Sequence, residues 1–131
     1  MYKGKDALRT PLGRVRGLGS AKGGTDHWWH QRITALALVP LVLGFVVVML
    51  RLVGRDQAGV KAVFHNPFVT GFGILLLVAL FWHLKLGLQV VIEDYVHRDS
   101  TKLVTMLAMK VAVVLLGLAS ILAVLKLAFG G

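Results

Sequence analysis

The sequence predicts an all-α membrane protein with three transmembrane helices. Of its 131 residues, 56% are hydrophobic, and the mean hydropathy is +0.75. Soluble domains contain roughly 45–50% apolar residues. Three apolar runs, at residues 33–53, 68–92 and 103–129, are each long enough to cross a hydrocarbon core of about 30 Å. Residues 1–32 form a basic, glycine-containing segment, and no separate soluble domain is expected.

Each apolar run has features that are typical of a transmembrane helix. The first contains Pro40, which membrane helices tolerate better than soluble ones. The second follows Asn66-Pro67, a helix-start signal, and is interrupted only by His83 and Lys85. The third carries Lys110 and Lys126 on either side of its middle, nearer its two ends, where long side chains can reach the headgroups. Small residues suited to helix contacts in lipid are Gly71, Gly73, Gly87, Gly117, Ala119 and Ser120.

The distribution of basic residues predicts the orientation in the membrane. The formal net charge is +9. One side of the predicted bundle carries Lys3, Lys5, Arg9, Arg14, Arg16, Lys22, Arg32, Arg98 and Lys102, and the other carries Arg51, Arg55, Lys61 and Lys126. This bias places the N-terminus in the cytoplasm and the C-terminus in the periplasm. The basic segment suits anionic lipid, and no motif accompanies it that would indicate nucleic-acid binding.

The absence of cysteine restricts the chemistry of the chain. Disulfides, thiolate nucleophiles and an iron–sulfur cluster held by this chain alone are excluded. Any iron–sulfur chemistry connected with the protein has to come from another subunit.

His83 is the candidate binding residue inside an apolar run. It could be a structural histidine bonded to a neighbouring helix, a member of a proton relay, or an axial ligand of haem iron. No other histidine lies within a run, so a bis-histidine haem would need its second ligand from another polypeptide. Gly87, one turn later on the same stripe, would leave room for a flat macrocycle or for a close helix contact.

Asp94 and Tyr95 form a second candidate site on the same helix. Asp94 is eleven residues after His83, about 20° around the axis and about 16 Å along it. A tyrosine hydroxyl and a carboxylate can bind and protonate a quinone. Alternatively, Tyr95 is an aromatic residue at the membrane interface and Asp94 a charge at the helix end, with no role in binding. Arg32, at the same level of the first helix, could pair with haem propionates or with lipid phosphate.

Two segments resemble the hydrophobic membrane anchor subunit of succinate dehydrogenase, the D subunit of respiratory complex II. They are GLGSAK at residues 17–22 with HWWHQRITA at residues 27–35, and the second-helix pattern of His83, Gly87, Gln89, Asp94 and Tyr95. The likeness is greatest to the alphaproteobacterial form, which is close to the mitochondrial one. It covers roughly residues 14–100, and the third helix adds only its hydropathy.

The resemblance implies a set of cofactors, partners and residue roles. His83 is expected to be one axial ligand of haem b, the other coming from the C-type cytochrome b anchor subunit. Tyr95 is expected to bind a ubiquinone carbonyl with support from Asp94, and Arg32 to lie near the haem propionates. The other expected partners are the iron–sulfur subunit, against which residues 13–24 would lie, and the flavoprotein subunit.

The expected function is therefore to anchor a succinate:ubiquinone oxidoreductase in the bacterial inner membrane as a multi-pass subunit. The chain would serve electron transport and the tricarboxylic acid cycle and would have no enzymatic activity alone. Two alternatives remain at this point. The chain could be the anchor of a fumarate reductase, or a small non-redox membrane subunit in which His83 and the Asp94–Tyr95 pair are unrelated.

Overall fold

The computed structural model describes residues 10–12 and 24–130. Within residues 24–130 the chain forms four helices and no strand: α1 (Gly24–Leu52), α2 (Gln57–Phe64), α3 (Pro67–Tyr95) and α4 (Asp99–Phe129). The three long helices are apolar enough and long enough to cross a membrane. The predicted all-α fold class with three candidate spans is confirmed. Most of the predicted N-terminal segment 1–32, including residues 13–23, lies outside the described residues.

The ends of the helices follow from local side-chain chemistry. Asn66 caps α3, since its Oδ1 accepts a hydrogen bond of 3.0 Å from the backbone N–H of Phe68, and Pro67 occupies the first turn. Asp56 caps the short helix α2 in the same way, through a bond of 2.8 Å from the N–H of Gly59. The connection between the first two spans is therefore partly helical rather than an open loop.

Helices α1 and α3 extend beyond their apolar runs. Helix α1 begins at Gly24, nine residues before the run that starts at residue 33, and continues through Pro40 to Leu52. Helix α3 continues past the run at residues 68–92 and ends at Tyr95. The polar residues that bear the family resemblance, from His27 to Arg32 and at the end of α3, therefore lie on rigid helices.

Helix α3 lies between α1 and α4, whose backbones do not come close to each other within residues 24–130. The ring of Phe72 fills the space over Gly44 of α1, and the ring of Phe81 packs on Gly117 of α4. Phe72 and Phe81 are nine residues apart, so at 100° per residue they point to opposite sides of α3. The three long helices are thus arranged with α3 in the middle.

Polar contacts hold the end of the bundle opposite to Tyr95. His65, just after α2, donates its Nδ1–H to the carbonyl of Ala128 near the end of α4. The hydroxyl of Thr70, which is buried in α3, donates to the carbonyl of Phe64. These bonds join α2, α3 and α4 and satisfy carbonyl groups that a helix end leaves without an intrahelical partner.

Candidate functional site

His83 contacts helix α1 through a single hydrogen bond. Its Nδ1 lies 2.9 Å from the hydroxyl oxygen of Thr34, and both side chains are partly buried. The same hydroxyl is 2.7 Å from the carbonyl oxygen of His30 and 3.1 Å from that of Gln31. Thr34 is thus placed one helical turn after two carbonyl acceptors and directly opposite the imidazole.

This arrangement favours one tautomer of His83. A threonine hydroxyl has one proton to donate, and carbonyl oxygens can only accept. The carbonyl oxygen of His30, at 2.7 Å, is the nearest acceptor for that proton, and when it takes the proton the oxygen of Thr34 acts as an acceptor toward His83. In this tautomer the Nδ1–H of His83 donates to Thr34, and in the neutral ring the lone pair lies on Nε2. Within residues 24–130, Nε2 makes no hydrogen bond.

A cleft of about 500 Å³ opens between α1 and α3, one turn from His83 toward Tyr95. It is lined by His27, Trp28, Gln31, Gly87 and Val90. Two buried polar atoms at this position, Nε2 of His27 and Oε1 of Gln31, have no hydrogen-bond partner within the described residues. Buried polar groups are nearly always paired, so these two atoms leave a hydrogen-bonding requirement open within the described residues.

Arg32 is exposed, and its guanidinium lies 5.3 Å from the ring centroid of Trp28. It is two residues before Thr34, and therefore about 200° around α1 from the side that faces His83. The structure places Arg32 at the same end of the bundle as the cleft but does not bring it into contact with His83. Its charge is available to a group outside this chain.

Asp94 and Tyr95 lie in the last turn of α3, and both are exposed. Tyr95 is 79% exposed, and neither side chain makes a hydrogen bond within residues 24–130. They are separated from His83 by three turns of helix, so the structure shows two distinct places on α3 rather than one joined site. The remaining walls of a pocket around Tyr95 would have to come from outside the described residues.

Sequence reasoning identified His83 but missed the residues of α1 that surround it. Thr34 is the one hydroxyl side chain in the apolar run 33–53, and His27 and Gln31 precede it by seven and three residues on the same helix face. A single hydroxyl side chain in one apolar run and a single histidine in another could have indicated a hydrogen bond between these two helices. The described residues contain no group of three or more metal-ligating side chains.

Residues 6–117 match the family of succinate dehydrogenase and fumarate reductase transmembrane subunits. The chain belongs to this family. The predicted family is thereby confirmed, and with it the assignment as a membrane anchor subunit of the succinate dehydrogenase type.

Three relatives illustrate the similarity. The chain is 31% identical over 93 residues to the succinate dehydrogenase membrane anchor subunit of Reclinomonas americana, covering 69% of this chain and 78% of that protein. It is 33% identical over 93 residues to the hydrophobic membrane anchor subunit of Paracoccus denitrificans, covering 71% and 72%. It is 31% identical over 117 residues to the corresponding subunit of Rickettsia bellii, covering 89% and 94%.

Proposed function

We propose that this subunit anchors a succinate:ubiquinone oxidoreductase in the bacterial inner membrane, shares a b-type haem with a partner chain and forms part of the ubiquinone site. The observation that carries the proposal is the bond between Nδ1 of the half-buried His83 and Thr34, while Nε2 of the same ring makes no hydrogen bond within residues 24–130. A neutral imidazole with its second nitrogen bonded to a fixed acceptor is the usual state of a metal-binding histidine.

His83 fits the role of one axial ligand of haem b. The haem would supply reversible one-electron transfer at the iron. His83 would bind the iron through Nε2, while Thr34 holds the ring plane through Nδ1. The sequence has no second histidine inside an apolar run, so the other axial ligand is assigned to the C-type cytochrome b anchor subunit.

The cleft beside His83 fits the polar edge of the same group. Beside this cleft the buried Nε2 of His27 and Oε1 of Gln31 have no hydrogen-bond partner within the described residues, and Gly87 contributes no side chain to the cleft wall. Arg32, at the same end of α1, would contribute positive charge toward the propionates. Together these residues would orient the macrocycle with its carboxylates toward the Tyr95 end of the bundle.

Tyr95 and Asp94 are assigned to ubiquinone. The hydroxyl of Tyr95 would donate a hydrogen bond to a quinone carbonyl oxygen, and the carboxylate of Asp94 would orient that donor or deliver a proton. Their exposure fits a pocket completed by the iron–sulfur subunit and the C-type anchor subunit. The positive-inside bias puts this end in the cytoplasm, where the flavoprotein subunit would oxidise succinate.

The direction of the reaction is assigned from the relatives. The family includes fumarate reductase subunits, but the relatives named above are all anchors of succinate dehydrogenase. We therefore favour succinate oxidation coupled to ubiquinone reduction.

The reduced-minus-oxidised visible spectrum of the purified complex tests the haem assignment. His83→Ala should remove the b-type haem signal while the flavoprotein subunit still co-purifies, because only the iron ligand on this chain is lost. His97→Ala, a change at an exposed histidine outside the apolar runs, should leave the spectrum unchanged. A full haem signal in His83→Ala would refute the assignment.

A further inference from the structure

Lys85 is a charged residue near the middle of a membrane-spanning helix. The midpoint of Pro67–Tyr95 is residue 81, so Lys85 lies four residues, or about 6 Å, toward the Tyr95 end. The hydrocarbon core extends roughly 15 Å to either side of its centre. Ionisable side chains at such depth almost always face another protein segment or a water-filled cavity.

A second lysine provides a matched comparison. Lys110 is also four residues from the midpoint of its helix, Asp99–Phe129, and toward the same end of the bundle. Side chains tilt toward the N-terminus of their own helix. Because α3 ends where α4 begins, Lys110 leans toward the nearer membrane surface, where its ammonium group can reach the headgroups. Lys85 leans in the opposite direction, toward the centre of the bilayer.

The contact made by Lys85 agrees with this direction. Its ammonium nitrogen lies 4.9 Å from the ring centroid of Trp82, which is one turn nearer to the centre of the helix. A cation over an indole face is stabilised, but the ring carries no formal charge. Within residues 24–130 no carboxylate forms an ion pair with Lys85.

Lys85 belongs to a polar face of α3 that α1 and α4 leave partly uncovered; on this face the ring centroid of His30 in α1 lies 6.2 Å from that of Trp82. Phe72 and Phe81 mark the sides toward α1 and α4, and Trp82 projects about 80–100° from each of them. We call Trp82, Lys85, Gln89 and Glu93 the Trp82 face. Gln89 donates a hydrogen bond of 3.0 Å to Glu93, and Trp82 is 45% exposed.

We propose that the Trp82 face is covered by a membrane-spanning helix of a partner subunit that places an aspartate or glutamate carboxylate against Lys85. Charge complementarity selects this occupant, because hydrocarbon chains offer the ammonium group neither a counter-charge nor a hydrogen-bond acceptor. The inference rests on the assembly with a second membrane subunit in the proposed function, and it requires neither the haem nor the quinone assignment.

The amount of membrane partner that co-purifies with each variant tests the proposal. The complex is purified in mild detergent through a tag on this chain, as wild type, Lys85→Met, Lys85→Arg and Lys110→Met. A face exposed to lipid would tolerate or favour methionine. We expect Lys85→Met to retain at least tenfold less of the membrane partner, with Lys85→Arg and Lys110→Met close to wild type. Full retention in Lys85→Met would overturn the proposal.

A second measurement does not depend on disrupting the complex. Val78 lies two turns before Lys85, within about 20° of it around the axis, and is 49% exposed. A photo-crosslinking amino acid at Val78 should form an adduct with a partner helix that contains an acidic residue. Adducts with lipid alone, or with a helix that lacks such a residue, would overturn the proposal. A wild-type chain that purifies without any partner would overturn the proposed assembly as well, so the two failures are distinguishable.

Discussion

Thr34→Val removes the acceptor for His83 while keeping the shape of the side chain. Valine has nearly the volume of threonine and fits the same helix, but it cannot accept the Nδ1–H of His83. An imidazole without iron is free to turn toward another acceptor. An imidazole bound to iron through Nε2 cannot turn, so its Nδ1–H is left buried and unpaired. The loss should therefore fall mainly on the haem-bound state.

The size of the loss follows from that one bond. A buried donor left without a partner costs about 1–3 kcal/mol. At about 1.4 kcal/mol per factor of ten, haem affinity should fall roughly fivefold to a hundredfold. This agrees with the factor of about 10–100 found when an outer-shell partner of a metal ligand is removed. Loss of the bond also makes the imidazole a poorer donor to ferric iron, so the haem midpoint potential should rise.

The assay measures haem occupancy by titration and the midpoint potential of the complex, with Thr34→Ser as the control. Serine keeps the acceptor oxygen and should stay close to wild type in both measurements. If Thr34→Val binds haem as tightly as wild type at an unchanged potential, the hydrogen bond does not orient the ligand. If Thr34→Ser fails as badly as Thr34→Val, the defect is one of helix packing.

Two further predictions concern the quinone site and the helix contacts. Tyr95→Phe should lower ubiquinone reductase activity at least tenfold while succinate oxidation with an artificial acceptor persists; a parallel fall in both activities would indicate an assembly defect instead. In Gly44→Ala the new Cβ would lie 2.5 Å from Cζ of Phe72. Such overpacking lowers the free energy of unfolding by about 1–3 kcal/mol, whereas the higher helix propensity of alanine raises it by only about 1 kcal/mol. In thermal unfolding in detergent, Gly44→Ala should therefore have a lower Tm than wild type. Gly71→Ala should have a higher Tm, because there is open space around Gly71. A higher Tm for Gly44→Ala than for Gly71→Ala would contradict the close contact of α1 and α3.

The positions of the long helices could be predicted from hydropathy, because crossing a bilayer requires long apolar segments. Their ends were harder to predict. Helix α1 extends back to Gly24 through a polar segment whose helicity no apolar run reveals. Helix α2 arises from the Asp56 cap within a stretch that composition alone suggests is a loop. Local capping and tertiary contacts determined these elements, and hydropathy does not report either.

Part of the candidate site could likewise be predicted from the sequence, whereas the rest depends on how the helices pack. His83 stands out in the sequence because a lone imidazole in an apolar run is costly to bury. Its bond to Thr34 joins residues 49 positions apart and depends on how α1 packs on α3. The pattern of small residues predicted a helix contact at Gly117 but not at Gly44, although a phenylalanine ring of α3 packs against each of them. Spacing within one helix cannot indicate which glycine faces which neighbour.

The placement of polar groups on α3 explains why this subunit would not act alone. His83 takes a proton acceptor from α1 and leaves Nε2 free, Lys85 turns its charge toward a partly uncovered face, and Tyr95 lies exposed at the helix end. Each group lacks a complement within residues 24–130. In a bilayer, such unmet requirements are costly unless other chains satisfy them. A central helix with polar groups on several sides is therefore suited to sit between subunits, where each side meets a different partner.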